Sequence, residues 1–175
     1  MSDQGATNQL VQQFRFEDDG RIPNSPTLPL LVYAGVVDVG DDGVAAVRRR
    51  FSQANWRGIW VNGIYDYHHY HSTAHEVLGI ARGSADVQFG GERGPILRVY
   101  TGDVVVIPAG VGHCNRGSSA DLQVVGAYPA GQDWDLCTGQ PDERPQVLRN
   151  IEQVPLPSTD PVYGEYGPLL DLWQA

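Results

Sequence analysis

From Trp56 onward, the apolar residues of this 175-residue chain recur at every second position in short runs, each closed by glycine or proline. The runs cover residues 57–71, 75–82, 85–89, 96–100, 103–107 and 121–128. A period of two sends alternate side chains to opposite faces of a strand, and strands this short and this regularly punctuated pack as a sandwich or close into a barrel. Phe89, Gly90 and Gly91 with Gly94 and Pro95 mark one loop, and Thr101, Gly102 and Asp103 a tighter one. The 21 glycines and 12 prolines suit such an all-β fold better than a helical bundle.

Upstream of Trp56 the pattern is mixed. The first dozen residues are polar and read as a frayed end, after which Phe14 and Phe16 alternate with charged neighbours as a short half-buried strand would. Residues 28–38 form an apolar extended run. A helix fits 41–55: Asp41 or Asp42 caps it, Val44, Val47 and Phe51 share a face, and Arg48, Arg49 and Arg50 sit towards its negative end as a solvated face. Beyond Gln132, Pro155, Pro157, Pro161 and Pro168 space out apolar residues ending at Trp173, which predicts an extended, irregular tail lying across the barrel or a partner subunit. Nothing splits the chain, so residues 1–175 read as one domain, with a barrel core at 56–130, N-terminal strands and helix at 12–55, and the tail at 132–175.

The net charge of −9 comes from 21 acids against 12 bases, and all 12 bases are arginine. With no lysine, Schiff-base chemistry and a lysine general base are excluded. An acidic chain also repels nucleic acid and anionic membranes, so neither is an expected partner. The N-terminus lacks a signal-peptide pattern and no segment approaches the roughly 20 apolar residues of a membrane span, so a cytoplasmic location is expected. In that compartment Cys114 and Cys137 are expected as free thiols, with Cys114 an inert buried one.

Four of the five histidines fall between positions 68 and 75, and the fifth is His113. On an unbroken strand Tyr65, Tyr67, His69 and His71 would share one face and Asp66, His68 and Tyr70 the other. Glu76 then opens the next strand with Leu78 and Ile80 on its own face, while His75, Val77 and Gly79 turn away. Only one of His75 and Glu76 can face inward; Glu76 is preferred, and His75 is expected at the surface or behind the ligands. His113 follows the rigid Pro108, Ala109, Gly110 bend. His69, His71, Glu76 and His113 make a borderline nitrogen and oxygen set for one divalent transition ion, Fe, Mn, Ni, Cu or Zn, with positions left for water or a small-molecule ligand. Tyr65 and Tyr67, on the predicted inner face, are the candidate catalytic acids; Gln123 and Tyr128 are weaker pocket candidates, and His68 is expected to point outward.

These residues resemble the two signature motifs of the cupin superfamily. Gly63, His69, His71, Glu76 and Gly83 meet every spacing of the first, a glycine, five residues, His-x-His, three or four residues, glutamate, six residues and glycine. Gly102, Pro108, Gly110 and His113 match the second, whose final asparagine is here Gly117, a position that is not a metal ligand in the family. The motifs span 63–117, about a third of the chain, and the flanks are similar to a small bacterial branch of single-domain cupins with no known reaction. The resemblance implies a double-stranded β-helix, a jelly-roll barrel, with His69, His71, Glu76 and His113 as ligands at its wide end, and a homodimer. Cupins include dioxygenases, isomerases, decarboxylases, sugar-binding and storage proteins, so the resemblance alone assigns no function; the open coordination positions favour a metal-dependent enzyme acting on a small organic molecule, with dioxygenase-type oxidation first. The alternatives are a non-catalytic metal-assisted small-molecule or sugar binding module and a sugar isomerase or epimerase.

Overall fold

The computed structural model describes residues 11–174; the polar start of the chain, residues 1–10, lies outside the described residues. Among the described residues nine strands form two antiparallel sheets. The larger has the order β1 (Val11–Phe14), β2 (Leu30–Tyr33), β7 (Val104–Ile107), β4 (Glu76–Arg82), β9 (Gln123–Pro129), β3 (Trp56–Asn62). The smaller has the order β6 (Ile96–Tyr100), β5 (Ser84–Phe89), β8 (His113–Ser118). The two face each other as a jelly-roll barrel, and β1 and β2 extend the large sheet on the far side of β7.

The central strands of the large sheet, β2, β7, β4 and β9, are buried on both faces, and their sequence shows why. In β7 every residue of Val-Val-Val-Ile is buried. Val105 and Ile107 point between the sheets with Leu78, Ile80, Val87 and Phe89, while Val104 and Val106 point the other way with Val77, Val125 and Ala127. A strand covered on both sides reads as a continuous apolar run rather than an alternating one. The second face is covered by α1 (Gly43–Gln53), whose N-cap Asp42 accepts from the Ala45 amide at 3.1 Å and which buries Val47 and Phe51. Gly79 of β4 is what lets α1 come so near, because a Cβ there would meet Val47 Cγ1 at 2.4 Å.

The tail completes this cover; most of it is irregular, as expected, but short helical segments interrupt it. After a 3-10 turn at Pro141–Glu143, the chain forms α2 (Gln146–Gln153) and α3 (Pro168–Leu172). Pro141 and Pro168 sit in first turns, where the missing N–H costs nothing and the fixed φ favours a helix, and Pro145 is the N-cap of α2, so these three start segments instead of breaking them, while Pro155, Pro157 and Pro161 lie in the irregular stretch between α2 and α3. Asp160 pins the tail. Fully buried, it accepts the Tyr33 hydroxyl at 2.6 Å and the amides of Val162 (2.8 Å), Tyr163 (3.1 Å) and Leu169 (3.1 Å). Burial and the Asp160 carboxylate push the Tyr33 phenol well above its ordinary value, so it remains a donor. Gly167 passes so near that a Cβ would meet Asp160 Oδ2 at 2.6 Å.

Two further expectations change. The run 57–71 is not one strand, since β3 stops at Asn62. β8 is an additional strand: His113-Cys-Asn-Arg-Gly-Ser carries no apolar alternation to announce it. Among the described residues no helix is long and apolar enough to cross a membrane.

Removing the Asp160 carboxylate strands one hydroxyl and three amides. Asp160→Ala is expected to cost about 3 kcal/mol and lower the thermal midpoint by about 10 °C. A midpoint within about 2 °C of wild type would show instead that apolar contacts alone hold the tail.

Candidate metal centre

Beyond β3 the Asn62 side chain accepts the Gly63 amide at 2.8 Å and the chain turns out of the sheet. Residues 69–71 are then gripped from three sides. His69 and His113 exchange backbone hydrogen bonds at 3.2 and 2.9 Å, Tyr70 does the same with Cys137 at 2.9 Å each way, and the His71 carbonyl accepts the Gly110 amide at 2.8 Å. Strand parity therefore fails where it was used to place the tyrosines, but two residue-wide bridges still turn His69 and His71 inward.

Each of the three inward imidazoles faces a backbone carbonyl with Nδ1: His69 that of Tyr67 at 2.9 Å, His113 that of Val111 at 3.2 Å, and His71 that of Asp135. A carbonyl can only accept, so every Nδ1 carries the proton and every Nε2 presents a lone pair. Two of these lone pairs point at one carboxylate, His71 Nε2 lying 3.0 Å from Glu76 Oε2 and His113 Nε2 3.2 Å from Glu76 Oε1. The donor atoms of His71, Glu76 and His113 all lie within 4.8 Å of one another, and all three residues are buried. Lone pairs and a carboxylate facing each other need a cation between them, either a proton or a metal ion, and nitrogen with oxygen donors fits a borderline divalent ion. His69 is outside this group of three, yet its ring centroid is 4.0 Å from that of His113 and it lines the same cavity.

The electrostatics follow. Burial raises the Glu76 carboxyl, but the His71 and His113 imidazoles beside it outweigh burial and hold it far below the carboxylate range. Burial lowers His71, but the Glu76 carboxylate wins and its pKa is raised. Burial and neighbouring His113 push His69 down to about 3.

Residue 135, which no motif indicated, holds this arrangement from the tail. Besides its carbonyl on His71, its carboxylate accepts the Ser72 amide at 2.6 Å, the Ser72 hydroxyl, the Thr73 amide at 3.3 Å and the Cys137 thiol at 3.3 Å. Burial pushes the Asp135 carboxyl upward, and these donors more than reverse it. Both cysteines are free and buried, and burial pushes the Cys137 thiol up to about 12.

The cluster floors a cavity of about 370 Å³ open to solvent. Tyr128 lies on the floor, 3% exposed, accepting from Trp60 Nε1 at 3.1 Å. Tyr65 lines the cavity at its mouth and is 51% exposed, whereas Tyr67 stacks on Tyr65 (5.0 Å between centroids) outside the lining, because the loop no longer alternates. Gln123 is corrected too: it opens β9 at the opposite end of the strand and borders a separate hollow with Asp41, Asp42 and Arg82. His75 is turned away from the cluster, as alternation requires, but is 2% exposed rather than at the surface. Its Nδ1 accepts the Ala109 amide at 2.9 Å, its ring packs on Trp173 of the tail at 4.8 Å, and burial pushes it down to about 4. His68 lies outside both cluster and cavity lining, half-buried, with neither ring nitrogen partnered among the described residues. Trp60 and Trp134 line the cavity unforeseen; an aromatic set between Asp133 and Asp135 has no periodic neighbour to place it.

The Cupin family profile matches residues 61–129, the segment that carries Glu76, His71 and His113. The chain is 46% identical over 163 residues to the uncharacterized protein YjlB of Bacillus subtilis (strain 168), covering 93% of this chain and 96% of that one. Among solved structures, a DUF861 family protein from Thermotoga maritima aligns with TM-score 0.31 and 21% identity over 45% of this chain and 83% of its own. Acireductone dioxygenase from Bacillus anthracis, with a cadmium ion in its active centre, aligns with TM-score 0.33 and 18% identity over 47% of this chain and 55% of its own. RmlC from Streptococcus suis, in complex with dTDP-D-xylose, aligns with TM-score 0.37 and 9% identity over 93% and 94% of the two chains. Long identity to a relative of nearly equal length, a matching profile and a jelly-roll barrel built around both motifs agree: the chain belongs to the cupin superfamily.

Proposed function

We propose that His69, His71, Glu76 and His113 together hold one divalent transition metal ion, and that the protein uses it to oxidise a small organic molecule with dioxygen. The observation that carries this reading is the set of imidazole Nε2 lone pairs turned towards one buried carboxylate on the floor of an open cavity. A redox-active ion bound there would supply electrons for dioxygen and a Lewis-acid pull on a substrate oxygen. His69 joins the set because its Nδ1 proton is committed to Tyr67, leaving Nε2 as a donor beside His113.

The chain's own residues do the rest. Glu76 and the imidazoles fix where a ligand oxygen sits; Trp60, Leu78 and Tyr128 border that floor with largely apolar surface. Trp60 Nε1 can only donate, so it takes a lone pair of the Tyr128 oxygen and leaves the phenolic proton free for a substrate oxygen or Glu76. Burial and the Glu76 charge raise Tyr128, keeping that proton in place at neutral pH. Tyr128 therefore takes the acid role for which Tyr65 and Tyr67 were the sequence candidates, and Tyr65 serves at the mouth.

Protein purified without chelator is expected to hold one transition ion per chain, and His71→Ala to lose it; unchanged metal by elemental analysis would remove the assignment. Protons compete with the metal at His71, whose pKa is raised, whereas His69 stays neutral down to about 3. Zinc affinity should therefore weaken as pH falls, by at least about tenfold between about pH 8 and pH 5.5 by calorimetry. Equal affinity at both would show that His71 is not a ligand. Loaded anaerobically with Fe(II), the protein should consume dioxygen with a phenol, thiol or diketone, and Tyr128→Phe should slow this by about 100-fold. Ligand-dependent stabilisation with no product under any of these conditions would identify a binding module instead.

A further inference from the structure

The walls of the cavity differ from its floor in one consistent respect: they are flat, apolar and without positive charge. Val61, Tyr65, Trp134 and Leu136 line it while remaining 41–51% exposed, and they are four of the nine large hydrophobic side chains left exposed among the described residues. Isolated exposed apolar side chains need no explanation, but a ring of them around a polar pocket does. Trp134 is not a loose surface residue. It stacks on Tyr128 with centroids 4.1 Å apart and planes within 6°, and Gly58 admits its indole, since a Cβ there would meet Trp134 Cζ3 at 2.9 Å. Trp60 is seated the same way, over Gly126, where a Cβ would fall 2.1 Å from the indole. Two rigid indoles and a phenol thus form a preorganised aromatic wall that loses little freedom when a ligand arrives.

Charge narrows the ligand further. No arginine lines the cavity, the chain has no lysine, and the strip carrying Trp134 is bounded by Asp133 and Asp135. A carboxylate, phosphate or sulfate at the outer end of a ligand would find no counter-ion among the lining residues and an apolar wall around it. A sugar would find Asn62 but few other polar groups above the floor.

We propose that the cavity selects a small planar aromatic compound with an oxygen donor at one end, directed to the His71, Glu76 and His113 floor, and no anionic group at the other. The ring lies against Trp134 and extends the Tyr128 stack, and Leu136 and Val61 cover its edges. This rests on the reading of the floor as a metal centre, and names the class of molecule that reaches it.

The test is calorimetric titration of the zinc-loaded full chain with 2-naphthol, 6-hydroxynaphthalene-2-sulfonate and decahydro-2-naphthol. Zinc does not reduce dioxygen, so binding is read with no turnover, and a failure of the iron-loaded protein to oxidise anything would leave this result intact. Saturable binding of 2-naphthol is expected, with the sulfonate and the saturated alcohol each weaker by at least about tenfold. Trp134→Ala should weaken 2-naphthol by about tenfold with zinc content unchanged, while Trp134→Phe, which keeps a ring, should retain most of the affinity. Equal or tighter binding of the sulfonate or of the saturated alcohol would overturn the proposal. So would an affinity that Trp134→Ala leaves alone, or a mouth closed by a second copy of the chain, seen as a dimer that excludes 2-naphthol and that Trp134→Ala dissociates.

Discussion

The Glu76 carboxylate, 3% exposed, sits within 3.2 Å of two imidazole nitrogens whose rings are each tied by Nδ1 to a backbone carbonyl. An ionised carboxylate removed from water is costly unless it is paired, and the pair must itself be held in geometry. Every nearby element contributes to that. β4 carries the carboxylate, the start of β8 carries His113, the bridged segment 69–71 carries the other two rings, and Asp135 orients His71 from the tail. The barrel supplies the positions, and the carbonyls supply the tautomers.

The barrel can do this because its large sheet is stiffened on both faces. Between the sheets Leu78, Ile80, Val105 and Ile107 meet Val87 and Phe89, and behind them Val77, Val104 and Val106 meet α1 and the C-terminal Leu169 and Trp173. β4 lies in the middle of this sheet, so the strand that presents Glu76 on one face carries Val77 into the rear core on the other. His75, one residue earlier, ends against Trp173. Position and support of the carboxylate are thus set by adjacent residues of one strand.

Much of this was legible in the sequence because it depends on local spacing. The alternation of His75, Glu76, Val77 and Leu78, the Asp42 cap and the convergence of His71, Glu76 and His113 all follow patterns within a few residues of each other or within a motif. Parity failed for Tyr65 and Tyr67 because Asn62 turns the chain out of β3, and nothing in a period-two count marks where a strand ends. The tail helices were hidden because proline serves equally to begin a helix and to break one. Asp135 and Trp134 were unreadable for a different reason: the contact of Asp135 with His71 spans 64 residues and leaves no trace in either neighbourhood.

That long contact bears on the order in which the molecule can become functional. Both motifs are complete once residue 117 has left the ribosome, yet His71 acquires its orienting carbonyl only from residue 135, and the strip beyond it is tethered through Asp160 to Tyr33. A nascent barrel has His69 and His113 beside the carbonyls of Tyr67 and Val111, while His71 still lacks its own. The cluster is therefore completed last, by about the final quarter of the chain, and until then the ring of His71 is held by nothing that sets its tautomer.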